Sequence, residues 1–380
     1  MEGFTLEIPT RIYFGNHNVE EALRKESEWL TGNIMIVTTG RSLIKYGYLD
    51  ELEKILGKLP NVGEIVIFDK VSANPKLEEI EEAVKKGMEK QVKAIIGFGG
   101  GSALDAAKAA AVGIGIPGKL EYFLLEEVEP MGNVLPVIAI PTTAGSGSEL
   151  SKGAIVSSLK HRMKGGIRGV ALLPKAAIVN PAYTWTVPVD ITMETGFDAL
   201  AHAIESYVAV KANSWSDMLS EKVIKVIGQN LPLLKENIDN YEARDAMSYA
   251  SMLIGINLAN VGTCLPHRMQ YAVGARTDTS HAAGVAALYP AWIHKQYDVN
   301  DKKIKDIIYW LTGKKIITGG EARKELAEFM KTINIFKTLT SLGINKEDLP
   351  VLTNQVTGNI GNDRLSVQKD IIASIYSDSL

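Results

Sequence analysis

The chain has one cysteine, Cys264, in 380 residues. No internal disulfide can form, and a lone thiol in a chain of this size suits a reducing compartment. Charge of one sign is also lacking. The 41 basic and 44 acidic residues leave a formal net charge of -3 and are interleaved along the chain, so no basic stripe recommends nucleic acid as a partner. Nowhere do about 18 apolar residues run uninterrupted, as a membrane-spanning helix would need. Met1–Glu7 holds no basic segment followed by an apolar run, so neither export nor membrane insertion is expected, and the cytoplasm is the expected location. There is no internal repeat and no low-complexity tract. What is present is an ordinary globular composition, 46% hydrophobic, long enough for two domains and suited to small-molecule partners.

The first half alternates short β-branched runs with polar-faced helical stretches, the pattern of a parallel sheet covered by helices on both faces. Three runs show it best: Ile34 to Thr38, which ends in Gly40; Ala94 to Phe98, which ends in Gly99-Gly100-Gly101-Ser102; and Val137 to Ile140, which ends in Pro141-Thr142-Thr143-Ala144-Gly145-Ser146-Gly147-Ser148. In an open α/β sheet ligands bind at the carboxyl ends of the strands, so three such loops imply one crevice. From about Pro188 the apolar residues fall at helical spacing, as in Glu194 to Val210 and Ser216 to Ile227. Between the halves, Ile178-Val179-Asn180-Pro181 and Thr184-Trp185-Thr186-Val187-Pro188 carry two prolines and read as a connection. The fold expected is an α/β domain over residues 1–183 and an all-α domain over residues 184–380. Gly313 to Gly320 reads as a loop between helices of the second half.

Gly99, Gly100 and Gly101, with Ser102 and Asp105 behind them, place bare backbone after a strand and at the start of a helix, where amides can approach a diphosphate. Such turns also arise for steric reasons alone. The hydroxyls of Thr142, Thr143, Ser146 and Ser148 at a neighbouring strand end tip the reading towards a nucleotide. At the tip of the first strand an acidic residue would hydrogen-bond the adenine ribose and repel a 2'-phosphate. Here the residues are Thr39-Gly40-Arg41-Ser42. Gly40 leaves space and Arg41 and Ser42 can bind phosphate, so NADP(H) is expected over NAD(H).

Asp198 and His202 are four apart in a helical stretch, one above the other on a single face. Such a pair is often a plain surface contact. Two further histidines, His267 and His281, lie in small or apolar surroundings in the same half, although either alone fits a core imidazole bonded to a carbonyl. Together the four suit a divalent Fe, Zn, Mn or Co ion with coordination left for substrate, and a cleft between the domains is the expected place. Zinc would usually bind more tightly than Fe(II), so supply can decide the occupant. Such an ion is a Lewis acid that lowers the pKa of an alcohol or polarises an aldehyde.

The motifs Gly99-Gly100-Gly101-Ser102 with Asp105 and Lys108, Pro141 to Glu149, and Gly196-Phe197-Asp198-Ala199-Leu200-Ala201-His202-Ala203-Ile204-Glu205 resemble, in order and spacing, the iron-containing (group III) alcohol dehydrogenases. The resemblance covers nearly the full chain. It implies a dinucleotide-binding α/β domain and a helical metal-binding domain in a dehydroquinate synthase-like architecture, with a homodimer or larger assembly. It also implies Asp198, His202, His267 and His281 as ligands of iron, Lys164 as a coenzyme contact, and hydride transfer between NAD(P)H and an aldehyde or primary alcohol. A glycerol dehydrogenase-like polyol oxidoreductase is an alternative on the same scaffold, although those relatives hold metal through a different arrangement.

One departure stands out. Members of this family usually carry a further histidine four residues after the third ligand, and here that position is Tyr271. A phenol hydrogen-bonds and passes protons but is a poor base near neutrality. Arg268 and Arg276 make the region unusually cationic, which fits an acid-tailed aldehyde such as phosphonoacetaldehyde, unless both pair with carboxylates or face solvent.

Overall fold

The structure is a computed structural model that describes residues 3–16, 19–365 and 369–380. Met1 and Glu2, part of the amino-terminal stretch read for a leader, lie outside the described residues. The chain divides into two compact units, one made of Ile8–Thr143 and Ser148–Thr184, the other of Met1–Glu7, Ala144–Gly147 and Trp185–Leu380.

The first unit is built on β1 (Arg11–Phe14), β2 (Gly32–Val37), β3 (Val62–Phe68), β4 (Val92–Gly99), β5 (Val137–Pro141) and β8 (Ala176–Val179), all parallel, in the order β1-β8-β5-β4-β2-β3. Its helices are α1 (Val19–Lys25), α2 (Arg41–Lys45), α3 (Tyr48–Leu56), α4 (Leu77–Glu89), α5 (Gly101–Gly115) and α6 (Leu120–Leu125). Alternate strand residues enter opposite cores. Met35, Val37, Ile95 and Val137 pack with α4 and α5, whereas Ile34, Ile36, Ile96, Phe98, Ile138 and Ile140 pack with α1 and α3. Burial on both faces explains why these strands read as continuous apolar runs. The chain steps from β2 outward to β3 and then back past β2 to β4, so the strand order reverses between β2 and β4. That reversal is where an open α/β sheet forms its ligand crevice.

Two details differ from the expectation. Ile178-Val179 does not lead into a linking segment but completes β8, a fully buried strand between β1 and β5; the two alanines before it hide the β-branched pattern. An antiparallel pair, β6 (Gly153–Ser158) and β7 (Met163–Arg168), adds a separate small sheet.

The second unit is helical: α7 (Val189–Val208), α8 (Ser214–Glu236), α9 (Tyr241–Asn260), α10 (Leu265–Thr277), α11 (His281–Thr312), α12 (Gly319–Thr332), α13 (Leu349–Asn354) and α14 (Lys369–Asp378). Helix α7 is buried without interruption from Gly196 to Val208, as befits a central helix apolar on nearly every face. Small residues allow it: a Cβ at Gly196 would lie 2.5 Å from Leu231 Cδ1 on α8. Helix α11 contains Pro290 and breaks at Asn300 (φ -140, ψ 37). The loop expected over Gly313 to Gly320 is shorter than that, because α12 opens at Gly319 with the Thr318 side chain accepting from the Glu321 amide. No helix among the described residues is long and apolar enough to cross a membrane.

Candidate active site

In the α/β unit the glycine and hydroxyl loops meet at the reversal point. The Thr142 amide donates to the Gly99 carbonyl at 3.0 Å, and a Cβ on Gly100 would lie 3.2 Å from Thr143 Oγ1, so two threonines flank the bare turn that opens α5. Gly40, at φ 81, precedes α2, and Arg41 and Ser42 stand exposed at the start of that helix. Asp69 also belongs to this corner. Pairing of Val37 with Phe68 brings it beside Gly40, where a Cβ would come within 3.6 Å of the Asp69 carboxylate. The sequence reading of the β2 tip missed this carboxylate because it comes from the adjacent strand.

Other residues of the glycine motif work on the chain rather than outward. Ser102 Oγ donates to the Ala73 carbonyl. Asp105 accepts from Ser148 Oγ and, at 2.9 Å, from the Ile155 amide. Lys108, only 1% exposed, donates to Ser148 O at 3.0 Å, to Ser151 Oγ at 3.2 Å and to Gly153 O, with Asp105 Oδ1 at 3.1 Å. Burial pushes its pKa down. The neighbouring Glu149 is buried too, and burial raises its carboxyl to about 7. Lys164, on β7, donates to Asn74 Oδ1 at 2.9 Å. Of the four expected hydroxyls, Thr142, Thr143 and Ser148 belong to the α/β unit, whereas Ser146 lies in Ala144–Gly147 with the helical unit.

In the helical unit Asp198 and His202 come from α7, His267 from the first turn of α10, and His281 opens α11. Their four donor atoms lie within 4.8 Å of one another. Asp198 Oδ1 sits 3.5 Å from His267 Nε2, 3.6 Å from His281 Nε2 and 4.0 Å from His202 Nε2. Asp198 Oδ1 and His267 Nε2 are buried and make no hydrogen bond. Buried polar atoms are ordinarily satisfied, so one carboxylate oxygen facing three imidazole nitrogens without hydrogen bonding fits a divalent ion of the first transition row. The charges respond to one another. Burial alone would raise Asp198, yet His202, His281 and His267 hold it well below the usual carboxylate range. Burial pushes His202 down to about 4. Burial also opposes charge on His267, but Glu205 and Asp198 on either side raise it to about 10.

Behind these four side chains stand residues that the sequence reading did not assign. Glu205 Oε1 lies 2.6 Å from His267 Nδ1, and Gln270 Oε1 lies 2.6 Å from His281 Nδ1, so each imidazole turns Nε2 towards the cluster. Helical spacing was the available signal for Glu205, which continues the Asp198–His202 stripe by one more turn. Tyr271 and His281 have ring centroids 6.3 Å apart. Arg268 is buried, donates to Thr263 Oγ1 at 2.9 Å and Tyr271 Oη at 3.3 Å, and forms no ion pair among the described residues. Arg276 is half-exposed and bound to Asp348.

A parallel sheet with a dinucleotide-type crevice and a cluster of three histidines and an aspartate define a class, the metal-dependent nicotinamide oxidoreductases. Comparison with known proteins names the family. Residues 9–181 match the model described as iron-containing alcohol dehydrogenase, and residues 192–380 match that of the Fe-containing alcohol dehydrogenase family, C-terminal. The chain belongs to the iron-containing alcohol dehydrogenase family and is an oxidoreductase of alcohols and aldehydes. Long-chain-alcohol dehydrogenase 1 of Geobacillus thermodenitrificans is 33% identical over 88% of this chain and 85% of its own length. NADH-dependent butanol dehydrogenase A of Clostridium acetobutylicum is 27% identical over 95% of this chain and 94% of its own length. Among solved structures, an iron-containing alcohol dehydrogenase of Thermotoga maritima superposes with a TM-score of 0.87 at 27% identity, covering 100% of this chain and 99% of the other.

Proposed function

We propose that the chain interconverts a primary alcohol and its aldehyde, with the nicotinamide coenzyme held by the loops after β2, β4 and β5 and the reacting oxygen bound at the centre formed by Asp198, His202, His267 and His281. The observation that carries this is Asp198 Oδ1 facing three Nε2 atoms at 3.5–4.0 Å without hydrogen bonding. Iron is the metal assigned, with zinc the stronger competitor for the same donors. When bound, such an ion supplies Lewis acidity that lowers the pKa of the alcohol or polarises the carbonyl. Asp198 supplies the negative charge of the donor set. Tyr271 offers a hydroxyl where relatives usually have an imidazole, and the alcohol proton would leave to water. Chelation should abolish NAD(P)H consumption with simple aldehydes, and restoring Fe(II) or Zn(II) should return it. Undiminished activity in fully chelated protein would overturn the reading.

Between the coenzymes we assign NADP(H), because Gly40, Arg41 and Ser42 offer space, a guanidinium and a hydroxyl to a 2'-phosphate. Asp69 opposes this with its charge. A higher kcat/KM with NADH than with NADPH would refute the assignment. Gly99, Gly100, Gly101, Ser102, Asp105, Thr142, Thr143, Ser146, Ser148 and Lys164 complete the proposed coenzyme set. Asp105 and Ser148 act in it by shaping the loop. A second reading, an acid-tailed aldehyde, is favoured by one observation: the buried Arg268 guanidinium has no carboxylate partner among the described residues. Arg268→Met should then lower kcat/KM for acid-tailed aldehydes and spare alkyl ones. Equal loss on both would remove that reading. We also assign the chain to the cytoplasm as a homodimer or larger assembly, which light scattering would test.

A further inference from the structure

Glu205 is 0% exposed, and both of its carboxylate oxygens are engaged. Oε1 faces His267 Nδ1 at 2.6 Å, and Oε2 accepts the backbone amide of Cys264 at 2.6 Å. Cys264 directly precedes α10, so one side chain on α7 grips both the start of α10 and the ligand that α10 carries in its first turn. The other two imidazoles are held differently. His281 is backed by the neutral amide of Gln270, and His202 Nδ1 makes no hydrogen bond. His267 has the carboxylate of Glu205 behind it.

We propose that Glu205 is a positioning residue of the metal centre, which fixes the ring of His267 with Nε2 towards Asp198 and supplies the second negative charge that matches a divalent ion. The inference rests on the metal reading above. A carboxylate accepts from Nδ1–H and the Cys264 amide at once, whereas glutamine in the same place accepts only one and carries no charge. A carboxylate behind a ligating imidazole raises its basicity, and loss of such a partner typically costs about 10–100-fold in metal affinity.

The competing explanation is purely structural. Leu265, the first residue of α10, donates its amide to Asp363 Oδ2 at 3.1 Å, so two buried carboxylates serve the start of this helix, and Glu205 could do no more than that. Asp363 bonds instead to Leu265, Trp292, Gln296 and Leu365 and makes no hydrogen bond to His267. It therefore provides the control.

The experiment measures Co(II) affinity by chelator competition in the full chain, with the visible ligand-field bands of the Co(II)-loaded protein and unfolding of the chelated protein as separate readouts. Glu205→Gln should weaken Co(II) binding about 10–100-fold and alter the bands. Glu205→Asp, which keeps the charge but draws it back by one methylene, should fall between Gln and parent and decides the matter if the Gln variant does not fold. Asp363→Asn should lower the stability of the chelated protein while leaving Co(II) affinity within about threefold of parent. The proposal is overturned if Glu205→Gln binds Co(II) as tightly as parent, if the Asp variant binds no better than the Gln variant, or if Asp363→Asn weakens binding equally. A parent that takes up no divalent ion would overturn the metal reading as well, and that result is distinguishable from the others.

Discussion

Each unit buries a cluster of charged groups, and the two clusters are built in opposite ways. In the α/β unit Lys108 finds four oxygen acceptors on the chain from Ser148 to Gly153 and a carboxylate at 3.1 Å, and Asp105 receives a hydroxyl and an amide. Lys108 and Asp105 are both answered from within the chain. In the helical unit Asp198 Oδ1 and His267 Nε2 face each other at 3.5 Å and make no hydrogen bond, while Glu205 holds the far side of the ring. A buried ionic cluster that satisfies itself is a staple. One that holds its donors aimed at a common point is a binding site, since burying polar groups without partners costs free energy that only a ligand recovers.

The largest effect that could break this contrast comes from the helical unit. His202→Ala should remove one of the proposed metal ligands, empty the protein of metal by elemental analysis and lower kcat at least about 1,000-fold, about 4 kcal/mol of transition-state stabilisation. Coenzyme affinity, read by NADPH fluorescence, should change little. Retained metal with normal turnover would dissolve the distinction. Lys108→Met is the counterpart in the staple. It leaves Asp105, whose side chain is 14% exposed, without its cation, and unfolding in urea should show a loss of up to about 3–5 kcal/mol. The folded fraction should still carry its full metal content.

How much of this was legible depended on the distance over which each signal acts. Asp198 and His202 share a helix face and could be paired from spacing alone, and Glu205 lies on the same stripe. Convergence of His267 and His281 on that stripe depends on how α10 and α11 pack, which periodicity does not encode. The Gln270–His281 contact further requires Gly284, where a Cβ would lie 2.7 Å from Gln270 Cγ. The parallel sheet was readable because both of its faces are covered. β8 was not, because Ala176 and Ala177 carry no β-branched signal. Asp69 reaches Gly40 only through the register of β3 on β2.

Glu149 sharpens the contrast by pH. Burial raises its carboxyl from 4.5 to about 7, so between those values the folded chain keeps a proton that the unfolded chain has lost. Stability contributed by this group is complete below about pH 4.5, falls as pH rises through about 7, and then levels off, a change on the order of 3 kcal/mol. Glu149→Gln should flatten that slope and be the more stable protein at about pH 8, with little difference at about pH 5. Urea midpoints at the two pH values check this, and a parent as steep as its variant would mean that Glu149 is answered by Lys108 after all.

The smallest effect belongs outside both clusters. Arg276 binds Asp348 with its own side chain 48% exposed, and water screens such a pair whatever its geometry. Arg276→Ala should cost less than about 1 kcal/mol in thermal unfolding, a loss that added salt should shrink further. It should leave the preference between alkyl and acid-tailed aldehydes where it was, because a guanidinium already held by Asp348 and open to solvent offers little to a substrate anion. A shift in that preference on removing Arg276 would move substrate recognition from the buried Arg268 to the surface, and with it the line between residues that serve the fold and residues that serve the site.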